Sequence, residues 1–203
     1  MDSPVVQAKV VGFGDDLLDR MVQAVEKVRE RLQRSTAALE AAGIPYAVIG
    51  GNAVAAWVSS VDPGAARNTV DVDLMIERSD LPAVKQALEA VGFVHYELMD
   101  VHMFLDGPDG RPRDAVHLLF SGEKVKQEYH AAAPRMQVQK LEQSYRLLEL
   151  EALVTMKLTS FRRKDQVHLL DMIGVELVDE SWPAKFPPAL GERLQQLLDD
   201  PDG

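Results

Sequence analysis

Apolar residues recur at helical spacing near the start of the chain. From Asp15 to Ala42, aliphatic residues stand about 3.6 positions apart among charged ones, which predicts one long helix. Gly43 and Pro45 follow, and both residue types end helices. The next segment, YAVIG at residues 46 to 50, is a short apolar run typical of a buried strand.

Two glycines mark the next change of direction. Gly50 and Gly51 stand between the predicted strand and the apolar segment NAVAAWV, a pattern that predicts a strand-to-helix turn. Without Cβ atoms, the backbone amides of such a turn can approach phosphate oxygens at a helix N-terminus. The alternative is a plain turn, with Asn52 as an ordinary helix cap. Residues 59 to 66, SSVDPGAA, have the composition of a loop.

Carboxylates alternate with aliphatic residues in VDVDLMI, at residues 70 to 76. Because side chains along a strand point to alternate faces, Asp71 and Asp73 are predicted to share one face. Carboxylates about 7 Å apart along a strand can hold one or two divalent cations between them. The alternative is that both aspartates face water, although aspartate is a poor strand former.

The rest of the chain alternates predicted helices and strands. We expect a helix capped by Ser79 or Asp80 and ending at Gly92, followed by the strands FVHYEL and VHMFLD. A turn at GPDGRPR then leads to a strand at residues 114 to 120. After it we expect a helical linker at 122 to 133, the adjacent helices LELEALVTMKLTSF and KDQVHLLDMIGVEL, and a short helix at 189 to 198. This order predicts a mixed α/β (α+β) fold, a small mixed sheet packed with helices. We divide it into an N-terminal helix (1–43), a core (44–121) and a C-terminal helical segment (122–203).

Composition excludes several chemistries. The 203 residues include no cysteine, which removes thiol nucleophiles, Cys-ligated zinc and disulfides. A formal charge of −10 disfavours the basic surface that duplex nucleic acid requires. There is no apolar run of about 18 residues to cross a membrane, and the first residues do not have the pattern of a secretory signal. We therefore expect a cytoplasmic protein.

Two sequence blocks together resemble a known superfamily. The segment VIGGNAVAAWV, followed by Arg67-x-Thr69-x-Asp71-x-Asp73, resembles the DNA polymerase beta-like nucleotidyltransferases. The Arg-x-Thr-x-Asp-x-Asp form is similar to a small prokaryotic branch that includes the abortive-infection (AbiE-type) toxin nucleotidyltransferases. The later segment LEALVTMKLTSFRRKDQVHLLDMI is similar to the C-terminal pattern of that branch, so the resemblance spans residues 44 to 175. The gap between Gly51 and Asp71 is longer than usual.

The resemblance implies roles for individual residues. It implies magnesium or manganese as the cofactor, with Asp71 and Asp73 as its ligands. It implies that nucleotide is bound by Gly50, Gly51, Asn52, Arg67 and Thr69. It implies catalytic roles for Asp71, Asp73, Lys157 and Asp165, with Lys157 meeting phosphate and Asp165 orienting Lys157 or Arg67. We add His117 to these catalytic candidates, at a position where the chain differs from the family.

Simpler alternatives stand beside these roles. Lys157 is otherwise a helix residue with its ammonium group at the surface, and Asp165 a helix cap. Arg67 and Thr69 are otherwise two residues of a surface loop.

The chain departs from the superfamily pattern at the expected third carboxylate. His117 stands in AVHLLFSG where family members often carry aspartate. Three outcomes are open. His117 replaces the carboxylate as metal ligand or base, or a bulge in the strand brings Asp114 to the site. In the third, the group is lost and the chemistry is slow or absent. Of the other histidines, His95, His102 and His130 are predicted to be solvated or capping, whereas His168 shares a helix face with Asp165 or pairs with Asp171.

The sequence therefore predicts a magnesium-dependent nucleotidyltransferase. It would move a nucleoside monophosphate from an NTP to a hydroxyl of a small molecule, a protein or an RNA end. The alternative is a catalytically degenerate protein of the same fold that binds a nucleotide or a partner. A toxin-like role with an antitoxin-like protein partner is a third expectation, compatible with the enzyme.

Overall fold

A seven-stranded mixed sheet forms the centre of the molecule. The computed structural model describes residues 15 to 126, 129, 131 to 139 and 144 to 201, with the backbone alone for residues 15 and 16. The strands are β1 (Ala47–Ile49), β2 (Val72–Ile76), β3 (Val94–Leu98), β4 (Val101–Leu105), β5 (Val116–Phe120), β6 (Val138–Gln139) and β7 (Leu147–Leu148). Their order is β3-β4-β5-β2-β1-β7-β6. β2 pairs with β5, and β1 with β7, in parallel, while the other neighbours are antiparallel.

Six α-helices pack around this sheet in the part of the chain that the structure describes. They are α1 (Asp15–Ala41), α2 (Gly50–Ser59), α3 (Leu81–Ala90), α4 (Leu150–Ser160), α5 (Arg163–Gly174) and α6 (Pro188–Asp199). The predicted long helix, the strand-to-helix turn, the two adjacent helices and the short last helix are all present. The mixed α/β fold class is therefore confirmed.

The core fills the space between the central strands and the helices. Val72, Leu74 and Ile76 on one face of β2 are fully buried, and helix α1 contacts both β2 and β5. Met75, on the same face as Asp73, is also fully buried. Burying side chains of this size contributes about 1.5–3 kcal/mol each, so β2 is a rigid base for its carboxylate.

The first half of α1 departs from this pattern. Leu18, Met21 and Val22 follow the helical spacing but are exposed, and burial begins in the second half, at Arg31 and Leu32. Residues 1 to 14 of the predicted N-terminal part lie outside the described residues, and so does His130. The division of the chain into three parts stays a prediction. No described helix is long and apolar enough to cross a membrane.

Some predicted elements are wrong in detail. The strand predicted at 114 to 120 begins at Val116, because residues Pro112–Asp114 form a 3-10 turn. The described part of the predicted linker at 122 to 133 contains turns and bends and no helix, since its backbone bonds to loop neighbours: the Ala133 amide donates to the Glu123 carbonyl at 2.8 Å. Strands β6 and β7 were not predicted.

The predicted side-chain cap of α3 is also wrong. Asp80 does precede the helix, but neither it nor Ser79 donates or accepts a capping hydrogen bond through its side chain. The chain enters α3 through a 3-10 turn at Arg78–Asp80. Asp80 therefore has a helical backbone (φ −87°, ψ −7°) rather than the extended conformation from which a cap side chain reaches back.

Candidate active site

The turn between β1 and α2 brings the backbone against the acidic strand. Gly50 has a positive φ of 68°, and a Cβ atom placed there would overlap the carboxylate of Asp73. A Cβ atom on Gly51 would lie 2.8 Å from the hydroxyl oxygen of Thr69. Only glycine combines this backbone conformation with such a close approach. The two glycines therefore let the helix N-terminus and the acidic strand meet.

Asp71 lies immediately before β2 and is held by two neighbours. The Thr69 hydroxyl donates to Asp71 Oδ1 at 2.9 Å. The Asn52 side-chain amide donates to the backbone carbonyl of Asp71 at 2.7 Å. Thr69 and Asn52, which the resemblance assigns to substrate binding, thus have positioning contacts with Asp71 in this structure.

Asp73 and His117 are direct neighbours across the parallel pair β2–β5. They are paired in register, and directly opposed residues point to the same face of a sheet. The pairing runs without a bulge from Val72 opposite Val116 to the ends of both strands. The bulge that would bring Asp114 to the site is therefore not formed, and Asp114 lies in the preceding turn, 3.5 Å from Arg113.

The electrostatics of the acidic pair are unfavourable for two ionised carboxylates. Burial, and next the negative charge of Asp71, raise the pKa of Asp73 above 3.8. The charge of His117, and next those of Lys157 and Lys164, act in the opposite direction on the same carboxyl. A divalent cation would relieve the repulsion between the two aspartates, because it interacts favourably with both.

Lys157 and Asp165 form a buried ion pair where α4 meets α5. Both side chains are buried, and Lys157 Nζ lies 3.5 Å from Asp165 Oδ1. Burial lowers the pKa of Lys157, while the carboxylates of Asp165 and Asp73 oppose that shift. The ammonium group therefore lies within electrostatic reach of both the pair partner and the acidic strand.

Asp165 is also the hub of the turn before α5. The Ser160 hydroxyl donates to Asp165 Oδ2 at 2.8 Å, and so does Nε of Arg162, at 2.8 Å. The Arg162 backbone amide donates to the same oxygen at 3.2 Å, which caps the helix. Burial would raise the pKa of Asp165, but the Arg162 hydrogen bond and the Lys157 charge outweigh it and lower the pKa. Sequence reasoning missed Ser160 and Arg162, although the spacing from Arg162 to Asp165 is that of a capping box.

Arg67 pairs with Asp171. Its Nε donates to both carboxylate oxygens of Asp171 at 2.8 and 2.9 Å, whereas Asp165 contacts Lys157. A small cavity of about 60 Å³ lies between Gly51, Thr69, Arg67, His168 and Asp171. The arginine is exposed and the aspartate nearly buried, which leaves the guanidinium accessible beside the glycine turn.

His168 faces this cavity without a hydrogen-bond partner. Its Nδ1 atom is buried and unpaired among the described residues, so the predicted pair with Asp171 is not formed. Burial, and next the charge of Lys157, lower the pKa of His168 to about 4. The ring is therefore neutral at pH 7, with one buried nitrogen unpaired among the described residues.

A larger cleft of about 550 Å³ adjoins the same elements. It lies between α1 and α2 and includes Asn52, Arg67 and Thr69 in its walls. Clefts of about 300–1,000 Å³ are the usual size of small-molecule sites. The two residues that hold Asp71 therefore also border a space large enough for a substrate.

Solved structures of other proteins share the fold. The solution structure of the antibiotic-resistance factor ANT(2'')-Ia is similar with a TM-score of 0.51 and 14% identity, over 90% of this chain and 92% of that chain. The crystal structure of an antigenic nucleotidyltransferase-like protein from Paracoccidioides brasiliensis is similar with a TM-score of 0.53 and 17% identity, over 87% of this chain and 91% of that chain. No protein-family model and no curated protein matches the sequence. The chain has the fold of nucleotidyltransferase-like proteins, as the sequence resemblance predicted, and the abortive-infection branch stays a prediction.

Proposed function

We propose that the protein is a nucleotidyltransferase that uses a divalent cation to move a nucleoside monophosphate from an NTP to an acceptor hydroxyl. The observation that carries this proposal is the contact between the Gly50 turn and Asp73, beside Asp71, in a nucleotidyltransferase-like fold. Exposed amides at a helix N-terminus bind phosphate, and paired carboxylates bind the cation that phosphate transfer requires.

The donor set fits magnesium or manganese. Asp71 and Asp73 offer carboxylate oxygens, the ligands that these hard cations prefer, and burial together with their mutual repulsion raises the pKa of Asp73. When bound, the cation would neutralise triphosphate charge and stabilise the leaving pyrophosphate. Among the described residues, the ligand atoms of Asp71, Asp73 and His117 do not all lie within 4.8 Å of one another. We therefore assign the cation to the two aspartates.

The other residues of the site bind the triphosphate and remove the proton of the acceptor. Gly50 and Gly51 present backbone amides to the triphosphate, and Lys157 supplies a positive charge beside Asp73. The acceptor oxygen bonds to the α-phosphorus as the bond between that phosphorus and the bridging oxygen breaks, and pyrophosphate leaves. His117, next to Asp73, takes the proton of the acceptor hydroxyl. The cleft beside Asn52 and Thr69 has room for a small-molecule acceptor.

The first test is NTP binding measured by calorimetry with and without magnesium. We expect magnesium-dependent binding in the wild-type protein and its loss in both Asp71→Ala and Asp73→Ala, because each removes a cation ligand. Asp114→Ala is the matched control, since this half-exposed aspartate lies in a turn beside Arg113. NTP binding that requires magnesium yet survives both substitutions would overturn the assignment of the site.

A second candidate function is nucleotide or partner binding without turnover. It is favoured by His117, which stands opposite Asp73 where the family resemblance implies a carboxylate. His117→Asp separates the two functions when transfer of a labelled nucleotide is measured. A gain of transferase activity supports degeneration, whereas loss of an existing activity supports a working histidine.

The biological role is a finer proposal. Toxicity on expression, abolished by Asp71→Ala, would support a toxin that an antitoxin-like protein controls. The cytoplasmic location and the antitoxin-like partner stay predictions from the sequence.

A further inference from the structure

The hairpin β3–β4 gathers two histidines and a glutamate away from the acidic pair. Glu97 and His102 are opposed in register, and His95 precedes Glu97 by two residues on the same strand face. His95 Nε2 lies 3.2 Å from His102 Nδ1, and His102 Nδ1 lies 3.5 Å from Glu97 Oε2. The three ligand atoms all lie within 4.8 Å of one another.

These distances match those between the ligands of a tetrahedral zinc ion. Zinc bonds to histidine nitrogen and carboxylate oxygen are about 2.0–2.1 Å long, so two ligand atoms of a tetrahedral site are about 3.3 Å apart. Two of the three separations, 3.2 and 3.5 Å, already have this length. Glu97 is half exposed, so its carboxylate has room to move to a similar distance from the ligand nitrogen of His95. We propose that His95, Glu97 and His102 bind one zinc ion, with solvent at the fourth position.

The second ring nitrogen of His102 has a carboxylate close by. His102 Nε2 lies 3.6 Å from Asp100 Oδ1, just beyond hydrogen-bond distance. Asp100 is in turn held by the guanidinium of Arg78, at 3.2 and 3.3 Å, and Arg78 is bound by Glu123 at 2.6 and 2.7 Å. A small movement of the ring would form this hydrogen bond, which would leave Nδ1 unprotonated and directed at the metal.

Packing fixes the position of the His102 ring. His102 is buried, contrary to the expectation of a solvated side chain, and its ring packs edge-on against Phe120. Neutral imidazole is the form that binds metal. The alternative explanation of the geometry is a hydrogen bond between the two rings with no ion.

This site is separate from the proposed catalytic one. Met103 is opposed to His117 across β4–β5, so Met103 shares the face of Asp73 and His117. His102, one residue earlier, points to the other face of the sheet. The zinc would clamp β3, the edge strand, to β4, which pairs with the strand that carries His117. The site lies on the opposite sheet face from Asp73 and His117, so its test does not depend on nucleotidyl transfer.

The experiment is a zinc titration of the metal-stripped full chain by calorimetry, in excess magnesium so that Asp71 and Asp73 are occupied. We expect one zinc per chain, and affinity lowered at least about tenfold by either His95→Ala or Glu97→Gln. Glu180→Gln, at an exposed acid outside the hairpin, is the control and should bind as the wild type does. Circular dichroism of each variant verifies folding.

A spectroscopic readout identifies the ligands. Cobalt(II) in the same site should give visible absorption bands in the wild type and in Asp71→Ala, and lose them in Glu97→Gln. Zinc affinity that is unchanged in both His95→Ala and Glu97→Gln would overturn the proposal, as would binding abolished by Asp71→Ala. Absence of zinc binding by the wild type would also overturn it, in favour of the hydrogen-bonded histidine pair.

Discussion

Gly50 and the Asp73 carboxylate share a space too small for any additional atom. Replacing Gly50 with alanine places a Cβ in that space and forces a non-glycine residue to φ +68°. We expect a loss of roughly 1–3 kcal/mol in the free energy of unfolding, measured by urea denaturation, and loss of NTP binding. Gly174→Ala is the control, because an added Cβ would have no atom within 4 Å there and the φ of Gly174 is not positive. Equal stability of the two variants would contradict this account.

The raised pKa of Asp73 predicts a pH-dependent stability. The folded protein holds the Asp73 proton more tightly than the unfolded chain, so ionising this group on the way to neutral pH destabilises the fold. Asp73→Asn removes that effect. Without divalent cations, we expect the variant to equal the wild type below pH 3.8, and to become progressively more stable than the wild type as the pH rises above that value.

Thermal denaturation between pH 3 and pH 8 measures this difference. Asp114→Asn, at the turn, serves as the control and should follow the wild-type curve. A stability difference between Asp73→Asn and the wild type that does not change with pH would show that burial of Asp73 has no such effect.

At the scale of elements, the turn between α4 and α5 depends on Asp165. This buried carboxylate accepts bonds from Ser160 and Arg162 and pairs with Lys157. Asp165→Ala leaves the buried ammonium group without its partner, and we expect a loss of about 3–5 kcal/mol in unfolding free energy. Asp171→Ala, on the same helix, removes only a pair with the exposed Arg67 and should lose about 0–1 kcal/mol.

Urea denaturation at several pH values adds a second readout. Because the pKa of Asp165 is lowered in the folded state, its stabilising effect is present above pH 3.8 and disappears as the pH falls through the lowered pKa. The wild type and Asp165→Ala should therefore converge in strong acid. A gap that is as large in strong acid as at neutral pH would contradict the ion-pair account.

Elements with a strong local sequence signal were predictable, and strands that form only by pairing with a neighbour were not. Helix α1 carries a long apolar repeat, and a cluster of charged residues separates α4 from α5. A single sequence displays both signals. β6 and β7 are two residues each, too short for any period. β7 forms on the edge that β1 offers, and β6 then pairs with β7. The turn at Asp114 likewise depends on Pro112, which starts a 3-10 turn where alternation alone predicts a strand.

The candidate site was predictable in its residue types more than in its contacts. Alternation placed Asp73 on the sheet, and the glycine pair indicated a turn. That Thr69 and Asn52 hold Asp71, that Arg67 pairs with Asp171, and that Asp73 lies beside His117 are results of tertiary packing. Sequence separations of up to 104 residues cannot be assigned from local pattern alone.

At the scale of the whole molecule, a formal charge of −10 is combined with cations near the site that are themselves held by carboxylates. Arg67, Arg162 and Lys157 are each paired with an aspartate. We therefore expect no binding of duplex DNA at about 0.15 M salt and about 10 µM protein, since even non-specific binding relies on free basic residues. An electrophoretic mobility shift assay checks this. A stable shift that disappears on raising the salt would reveal a basic surface.

The pairing of β7 with β1 makes the order of synthesis matter. β1 lies between β2 and β7, so a nascent chain that ends before Leu147 has the acidic strand but leaves β1 as an open edge. Such a chain also lacks Lys157 and Asp165. The sheet and the charges around Asp73 are therefore completed only after most of the chain has been translated. A prematurely terminated product has the acidic pair but lacks both the strand that covers β1 and the ion pair of Lys157 and Asp165.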